Sequence, residues 1–299
     1  MKNINSLLPE ISWINPFKSQ IPGLCHNTFY SNSMKREIGY AIYLPPDYQL
    51  GLSGLSDKKT DKSKKLPENK LFPVIYWLHG KGGDESTGFN IRIAAMLHEE
   101  ITDGVIKPVI MVFPNCGSFS MFCDSYDGTI MGETILIKEL IPFIDRNYCT
   151  IPEPRGRAIE GFSMGGFGAV KLAFKYPEMF CSVAAIAGSF HDIESVSKNR
   201  PEVYRRMFGA DSAYFNINSP YILAEKNTEL IKRNLKLKFV NGSKDFTIEN
   251  NYKLNRHLDS LGIDYEFKLL EGFKHIPEPY YEKEGLGCHI LHMKNFGLI

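Results

Sequence analysis

The sequence has almost no net charge, no long apolar run and no paired cysteines, and each absence removes a class of function. Lys plus Arg number 35 and Asp plus Glu 34, a balance of +1 that gives a nucleic-acid or anionic-membrane role no electrostatic support. No stretch of about 18 apolar residues occurs, so nothing reads as a membrane span. The cysteines, Cys25, Cys116, Cys123, Cys149, Cys181 and Cys288, form no CxxC pair and have no histidine at zinc-ligand spacing. A structural metal site and cysteine catalysis are therefore not expected. Their even number leaves disulfides open, with Cys116 and Cys123 able to close a short loop, although reduced thiols suit a chain with this much core. Met1 to Glu10 lack the charged-then-apolar pattern of a secretory signal, which predicts a cytoplasmic protein, or a secreted one if a leader has been trimmed.

What is present is an ordinary globular composition. Its 299 residues, 43% hydrophobic and 23% charged, exclude wholesale disorder and suit one large α/β domain over residues 1–299. The clearest break is Gly51 to Lys70, polar and rich in Lys, Ser and Gly, which reads as an exposed flexible loop between strands. Around it, short apolar runs alternate with longer amphipathic ones. Ile38 to Leu44, Val74 to Leu78, Val109 to Phe113, Arg157 to Phe162, Ser182 to Ala187, Leu237 to Val240 and Tyr265 to Leu270 read as strands. Gly132 to Arg146 and Ile248 to Leu261 carry apolar residues three and four apart and read as helices, the second stopped by Gly262. This alternation predicts a mostly parallel sheet covered on both faces. Phe190 to Asn234 is too long for a plain connection and reads as an insertion over the carboxyl edge of the sheet.

The most informative residues are Gly161-Phe162-Ser163-Met164-Gly165-Gly166. They follow a strand and precede a helical stretch from Gly166 to Tyr176, the context a G-x-S-x-G nucleophile elbow requires. The glycines make room for a serine in a strained turn, which would lift the Ser163 hydroxyl clear of the sheet and aim the helix N-terminus at a developing oxyanion. A serine is a poor nucleophile unless a base, oriented by a third group, takes its proton. Asp245 follows the strand Leu237 to Val240, and His275 follows the strand Tyr265 to Leu270, so all three fall on one rim. His257 and Asp259 lie inside a helix, Asp264 starts a strand, and His289 and His292 fall in a C-terminal helical stretch. His191 precedes every acid candidate, and Asp192 and Asp211 sit in the insertion. An oxyanion needs two backbone donors. One is expected from Met164, the other from the loop Leu78-His79-Gly80-Lys81-Gly82-Gly83, where His79 reads as a buried, loop-supporting histidine.

Taken together, these residues resemble the esterase D / carbohydrate esterase family 1 branch of the α/β-hydrolases, which includes feruloyl and acetylxylan esterases and enterochelin-esterase-like proteins. The resemblance runs from about Ile21 to the C-terminus. It is carried by Ile42 to Tyr48, Leu78-His79-Gly80 with Gly82 to Glu85, Lys138 to Pro142, Gly161 to Gly166 and Gly242 to Phe246. It implies an α/β-hydrolase fold, a triad of Ser163, Asp245 and His275, and an oxyanion hole from the N–H groups of Lys81 and Met164. One departure is plain: the tryptophan that usually follows the histidine is missing from Phe273 to Tyr281, where Tyr280 or Tyr281 would have to replace it.

The expected function is serine ester hydrolysis through an acyl-enzyme, on feruloyl or acetyl esters of plant carbohydrate or similar small esters. The alternatives are an S-formylglutathione hydrolase-like thioesterase, an acyltransferase and a silent binding module. No metal, organic cofactor, nucleic acid or membrane partner is implied. The large apolar and aromatic residues of the insertion, Tyr204, Met207, Phe208, Tyr214, Phe215 and Tyr221, are expected either to wall the acyl or aryl pocket or to fill a subsidiary core.

Overall fold

The computed structural model describes residues 10–46, 48 and 71–299. The expected flexible loop at 51–70 lies outside the described residues. Eight strands form one sheet: β1 (Leu24–Ser31), β2 (Arg36–Tyr43), β3 (Val74–Leu78), β4 (Ile110–Pro114), β5 (Arg157–Phe162), β6 (Ser182–Ile186), β7 (Lys236–Gly242) and β8 (Glu266–Leu270). Their spatial order is β1-β2-β4-β3-β5-β6-β7-β8, with β1 and β2 antiparallel to each other, β2 antiparallel to β4, and every later pair parallel. Strands β3 to β6 are buried throughout, which is why they read as unbroken apolar runs. The edge strand β1, LCHNTFYS, was not legible: it alternates polar residues and pairs on one side only.

Helices cover both faces, as the alternation requires. In chain order they are α1 (Thr87–Asn90), α2 (Ile93–Thr102), α3 (Gly132–Thr134), α4 (Ile141–Asn147), α5 (Met164–Lys175), α6 (Ile193–Asn199), α7 (Pro201–Phe208), α8 (Ser212–Asn216), α9 (Pro220–Lys226), α10 (Thr228–Asn234), α11 (Ile248–Leu261) and α12 (Pro277–Asn295). A π-helical turn, Ile135–Leu140, joins α3 to α4, so the helix expected from Gly132 is continuous but locally widened. Helix α11 ends at Gly262 with φ at 64°, the left-handed stop its sequence announced. All six cysteines are free, so Cys116 and Cys123 close no loop. Among the described residues no helix is long and apolar enough to cross a membrane, and no cluster of side chains is suited to hold a metal ion.

The insertion folds as α6 to α10. Asp192 and Asp211 cap two of these helices, accepting from the N–H groups of Ser195 and of Ala213 and Tyr214. Its aromatics settle the open alternative. Met207, Phe208 and Phe215 are buried in the main core, with Tyr204, Tyr214 and Tyr221 packed against it, and none lines the cleft beside Ser163. The expectation that they wall an acyl pocket is corrected on packing grounds, because α7 to α9 turn their apolar faces to the body of the protein.

Candidate active site

The turn between β5 and α5 holds Ser163 at φ 59° and ψ −114°, a conformation that non-glycine residues rarely adopt. The turn closes only because its flanking positions lack side chains. A Cβ at Gly165 would sit 1.9 Å from the Leu78 carbonyl oxygen, and one at Gly161 would sit 2.5 Å from the Gly165 carbonyl carbon. Backbone bonds pin the strained residue, with Ser163 N–H donating to Ile186 O at 2.9 Å and Ser163 O accepting from Ser189 N–H at 3.1 Å. Helix α5 begins at Met164, two residues earlier than its sequence pattern suggested.

Asp245 and His275 reach the same rim, in the turns after β7 and β8. His275 Nε2 lies 2.8 Å from Ser163 Oγ, and its Nδ1 lies 2.9 Å from both carboxylate oxygens of Asp245. A carboxylate only accepts, so Nδ1 carries the proton and Nε2 presents its lone pair to the serine hydroxyl. Ser163 is 9% exposed and Asp245 2%, so the chain of contacts runs from the cleft floor inward.

Asp245 is held as a carboxylate by its surroundings. Burial alone would raise its pKa, but hydrogen bonds from His275 and from the N–H and hydroxyl of Thr247 outweigh burial and place it below the usual value. Thr247 donates to Asp245 Oδ1 from Oγ1 at 2.7 Å and from N–H at 2.9 Å, and its hydroxyl accepts from Asn241 Nδ2 at 3.0 Å. Tyr280 Oη donates to Oδ2 at 2.8 Å. Of the two tyrosines that could replace the missing tryptophan, Tyr280 therefore supports the acid. The Tyr281 hydroxyl is taken up by Trp77 Nε1 at 2.8 Å. Thr247 and Asn241 went unremarked in the sequence, since neither stands at a motif position. The one available clue to Thr247 was its place two residues past an aspartate at a strand end.

The loop after β3 faces the elbow. Its Gly82 and Gly83 N–H groups donate to Ser118 O at 2.6 Å and Gly80 O at 3.0 Å, whereas no carbonyl among the described residues accepts from the Lys81 N–H. As the first residue of α5, Met164 has an N–H with no acceptor inside the helix. His79 is 1% exposed and its Nδ1 donates to Gly80 O at 2.9 Å, the loop-supporting part expected of it. A cleft of about 310 Å³ opens over this rim, lined among others by Trp77, Lys81, Phe162, Ser163, Phe246 and His275.

The other histidines are occupied elsewhere. His26 meets Glu85, His98 meets Tyr43, His257 meets the Tyr221 carbonyl, and His289 and His292 lie beside Glu160 in the core. His191 contacts Ser195 and Asn250, each at 3.3 Å. Asp259 is bound by the Tyr265 hydroxyl and Asp211 caps α8, so neither reaches the rim.

The chain as a whole has relatives. Esterase Rv1288 of Mycobacterium tuberculosis (strain ATCC 25618 / H37Rv) is 31% identical over 202 residues, which make up 66% of this chain and 37% of that protein. The chain thus spans little more than a third of the length of that curated relative. An acetyl esterase of Caldicellulosiruptor saccharolyticus is 26% identical over 266 residues, 82% of this chain and 89% of its own. The solved structure of a ferulic acid esterase superposes with a TM-score of 0.74 at 20% identity, over 92% of this chain and 98% of that one, a likeness of fold. The Esterase family model, described as "Putative esterase", matches residues 31–261. With that match over most of its length and this sheet order, the chain belongs to the Esterase family and has the α/β-hydrolase fold.

Proposed function

We propose that the protein is a serine carboxylic ester hydrolase in which Ser163 is the nucleophile, His275 the general base and acid, and Asp245 the group that orients the imidazole. The observation that carries this reading is the position of His275, 2.8 Å from the Ser163 hydroxyl on one side and 2.9 Å from the Asp245 carboxylate on the other. Ser163 Oγ attacks the ester carbonyl carbon as its proton passes to His275 Nε2. The resulting oxyanion is met by the N–H groups of Lys81 and Met164. Collapse breaks the bond to the leaving oxygen, which takes the proton from Nε2 and departs as the alcohol. Water then attacks the acyl-enzyme, giving one proton to His275, and collapse releases the acid as that proton returns to Ser163.

The substrates favoured by this reading are feruloyl or acetyl esters of plant carbohydrate or similar small esters. Membership of the Esterase family supports the ester bond, and the relatives that are acetyl and ferulic acid esterases support the acyl groups. A cleft of about 310 Å³ with Trp77, Ile91, Phe162 and Phe246 among its walls offers apolar surface to a small acyl or aryl group. Labelling with a fluorophosphonate tests the nucleophile: wild type is expected to label at Ser163, and Ser163→Ala to remain unlabelled. Absence of labelling in folded wild type would leave a binding module instead. Rates on methyl ferulate, p-nitrophenyl acetate and S-formylglutathione then separate esterase from thioesterase, and an added alcohol acceptor separates either from a transferase.

A further inference from the structure

The cleft carries a cation that no described carboxylate neutralises. Arg200, at the start of α7, places its guanidinium carbon 5.8 Å from the centre of the Phe246 ring. That ring is 61% exposed and lies 4.2 Å from the imidazole of His275. All three residues line the cleft. Two acidic side chains near Arg200 in the insertion have partners of their own. Asp192 is bound by Lys253 and by the Ser195 N–H, and Glu202 lies 3.5 Å from Lys81 Nζ. Among the described residues no ion pair includes Arg200. The other cation lining the cleft, Lys81, is the one that Glu202 already balances. His191 offers neither charge nor competition, since burial first and Arg200 second hold its imidazole down at about 4.

A guanidinium held near an aromatic ring and in no ion pair has N–H groups left to donate, and its planar fork matches a carboxylate through two parallel hydrogen bonds. Its position also indicates which end of the substrate it meets. His275 hands its proton to the leaving oxygen, so the departing alcohol lies on the imidazole side of the site, where Phe246 and Arg200 stand. We infer that Arg200 recognises a carboxylate on the alcohol portion of the ester, making esters of hydroxy acids the preferred substrates. This rests on the esterase reading above.

The test compares 4-acetoxybenzoate with 4-acetoxybenzamide, which share an acyl group and differ in the charge of the leaving group. Their ratio of kcat/KM in wild type, divided by the ratio in Arg200→Gln, is expected to be about ten, the scale of one hydrogen-bonded charge pair. Arg200→Lys is expected to fall between the two, because it keeps the charge but loses the fork. An unchanged ratio in Arg200→Gln overturns the inference. A second pair, 4-nitrophenyl hemisuccinate and its methyl ester, carries the charge on the acyl side; a loss confined to that pair also overturns it. Wild type that labels with fluorophosphonate and hydrolyses 4-nitrophenyl acetate without regard to substrate charge sinks only this inference. Wild type that neither labels nor hydrolyses removes the esterase reading, and this inference with it.

Discussion

Tyr280 Oη donates to Asp245 Oδ2 at 2.8 Å, an oxygen that also faces His275 Nδ1 at 2.9 Å. The phenol is fully buried, and burial together with the carboxylate it serves pushes its own ionisation far upward, so it acts only as a donor. Tyr280→Phe removes one of the bonds that hold Asp245 ionised. We expect kcat to fall about tenfold with KM little changed, from the loss of one bond to a charged group. The Asp245 pKa should rise when that donor is lost, so the acid limb of the kcat/KM profile should move to higher pH. A purely structural tyrosine would lower the melting temperature and leave that limb in place.

Removing the base is a harsher test. His275→Ala is expected to lower kcat by about 10⁴-fold or more, because every other histidine is engaged away from Ser163. Asp245→Asn should cost about 10³- to 10⁴-fold, since an amide at that position favours the wrong imidazole tautomer. Steady-state rates on p-nitrophenyl acetate with matched circular dichroism spectra would check both. Comparable activity in His275→Ala would move the base to another residue.

Gly165→Ala should damage folding as well as activity. The added methyl would stand 1.9 Å from the Leu78 carbonyl oxygen, and neither backbone can retreat without opening the β3–β5 pairing. A loss of more than about 3 kcal/mol in urea denaturation is expected, the size that backbone clashes in a core produce.

On the elbow helix itself, Lys171 is fully buried and its ammonium lies 2.5 Å from Glu133 Oε2, with Lys175 and the Tyr176 hydroxyl on the same carboxylate. Burial opposes the ionised carboxyl, but the Lys171 charge and the hydrogen bonds from both lysines outweigh it and bring Glu133 down to about 2. A carboxyl depressed in the folded state stabilises it fully above the unfolded value, near 4.5, and loses that contribution as pH falls towards 2. The fold should therefore weaken by on the order of 3 kcal/mol over that window from this group alone. Glu133→Gln should be destabilised at pH 7 by about 3–5 kcal/mol, because it leaves Lys171 buried without its anion, and should show a flatter pH dependence. Urea midpoints at several pH values would measure both effects.

The candidate site was legible wherever chemistry coincided with a strand end. Ser163, Asp245 and His275 each follow a strand of the parallel sheet, and parallel strands carry their carboxyl ends to one rim whatever the loops do. The support of Asp245 was legible only as a choice between Tyr280 and Tyr281, because side chains adjacent in sequence turn to different neighbours on a helix. The segment 190–234 was legible as more than a plain connection, but its packing was not. Its aromatics are spaced as either a pocket wall or a core would require, and burial in the main hydrophobic core decided for the core.

The order of apolar runs, the glycines around Ser163 and the strand-end positions of Asp245 and His275 were sufficient to specify a doubly covered sheet with a serine elbow at its edge. Those are local properties, fixed by backbone sterics and by the two-residue and 3.6-residue periods of side chains. Tertiary structure alone decided which hydroxyl holds Asp245, which ring rests against His275, and that Arg200 enters the cleft without a carboxylate. These contacts join residues distant along the chain, and their distances are set by how the helices settle against the sheet.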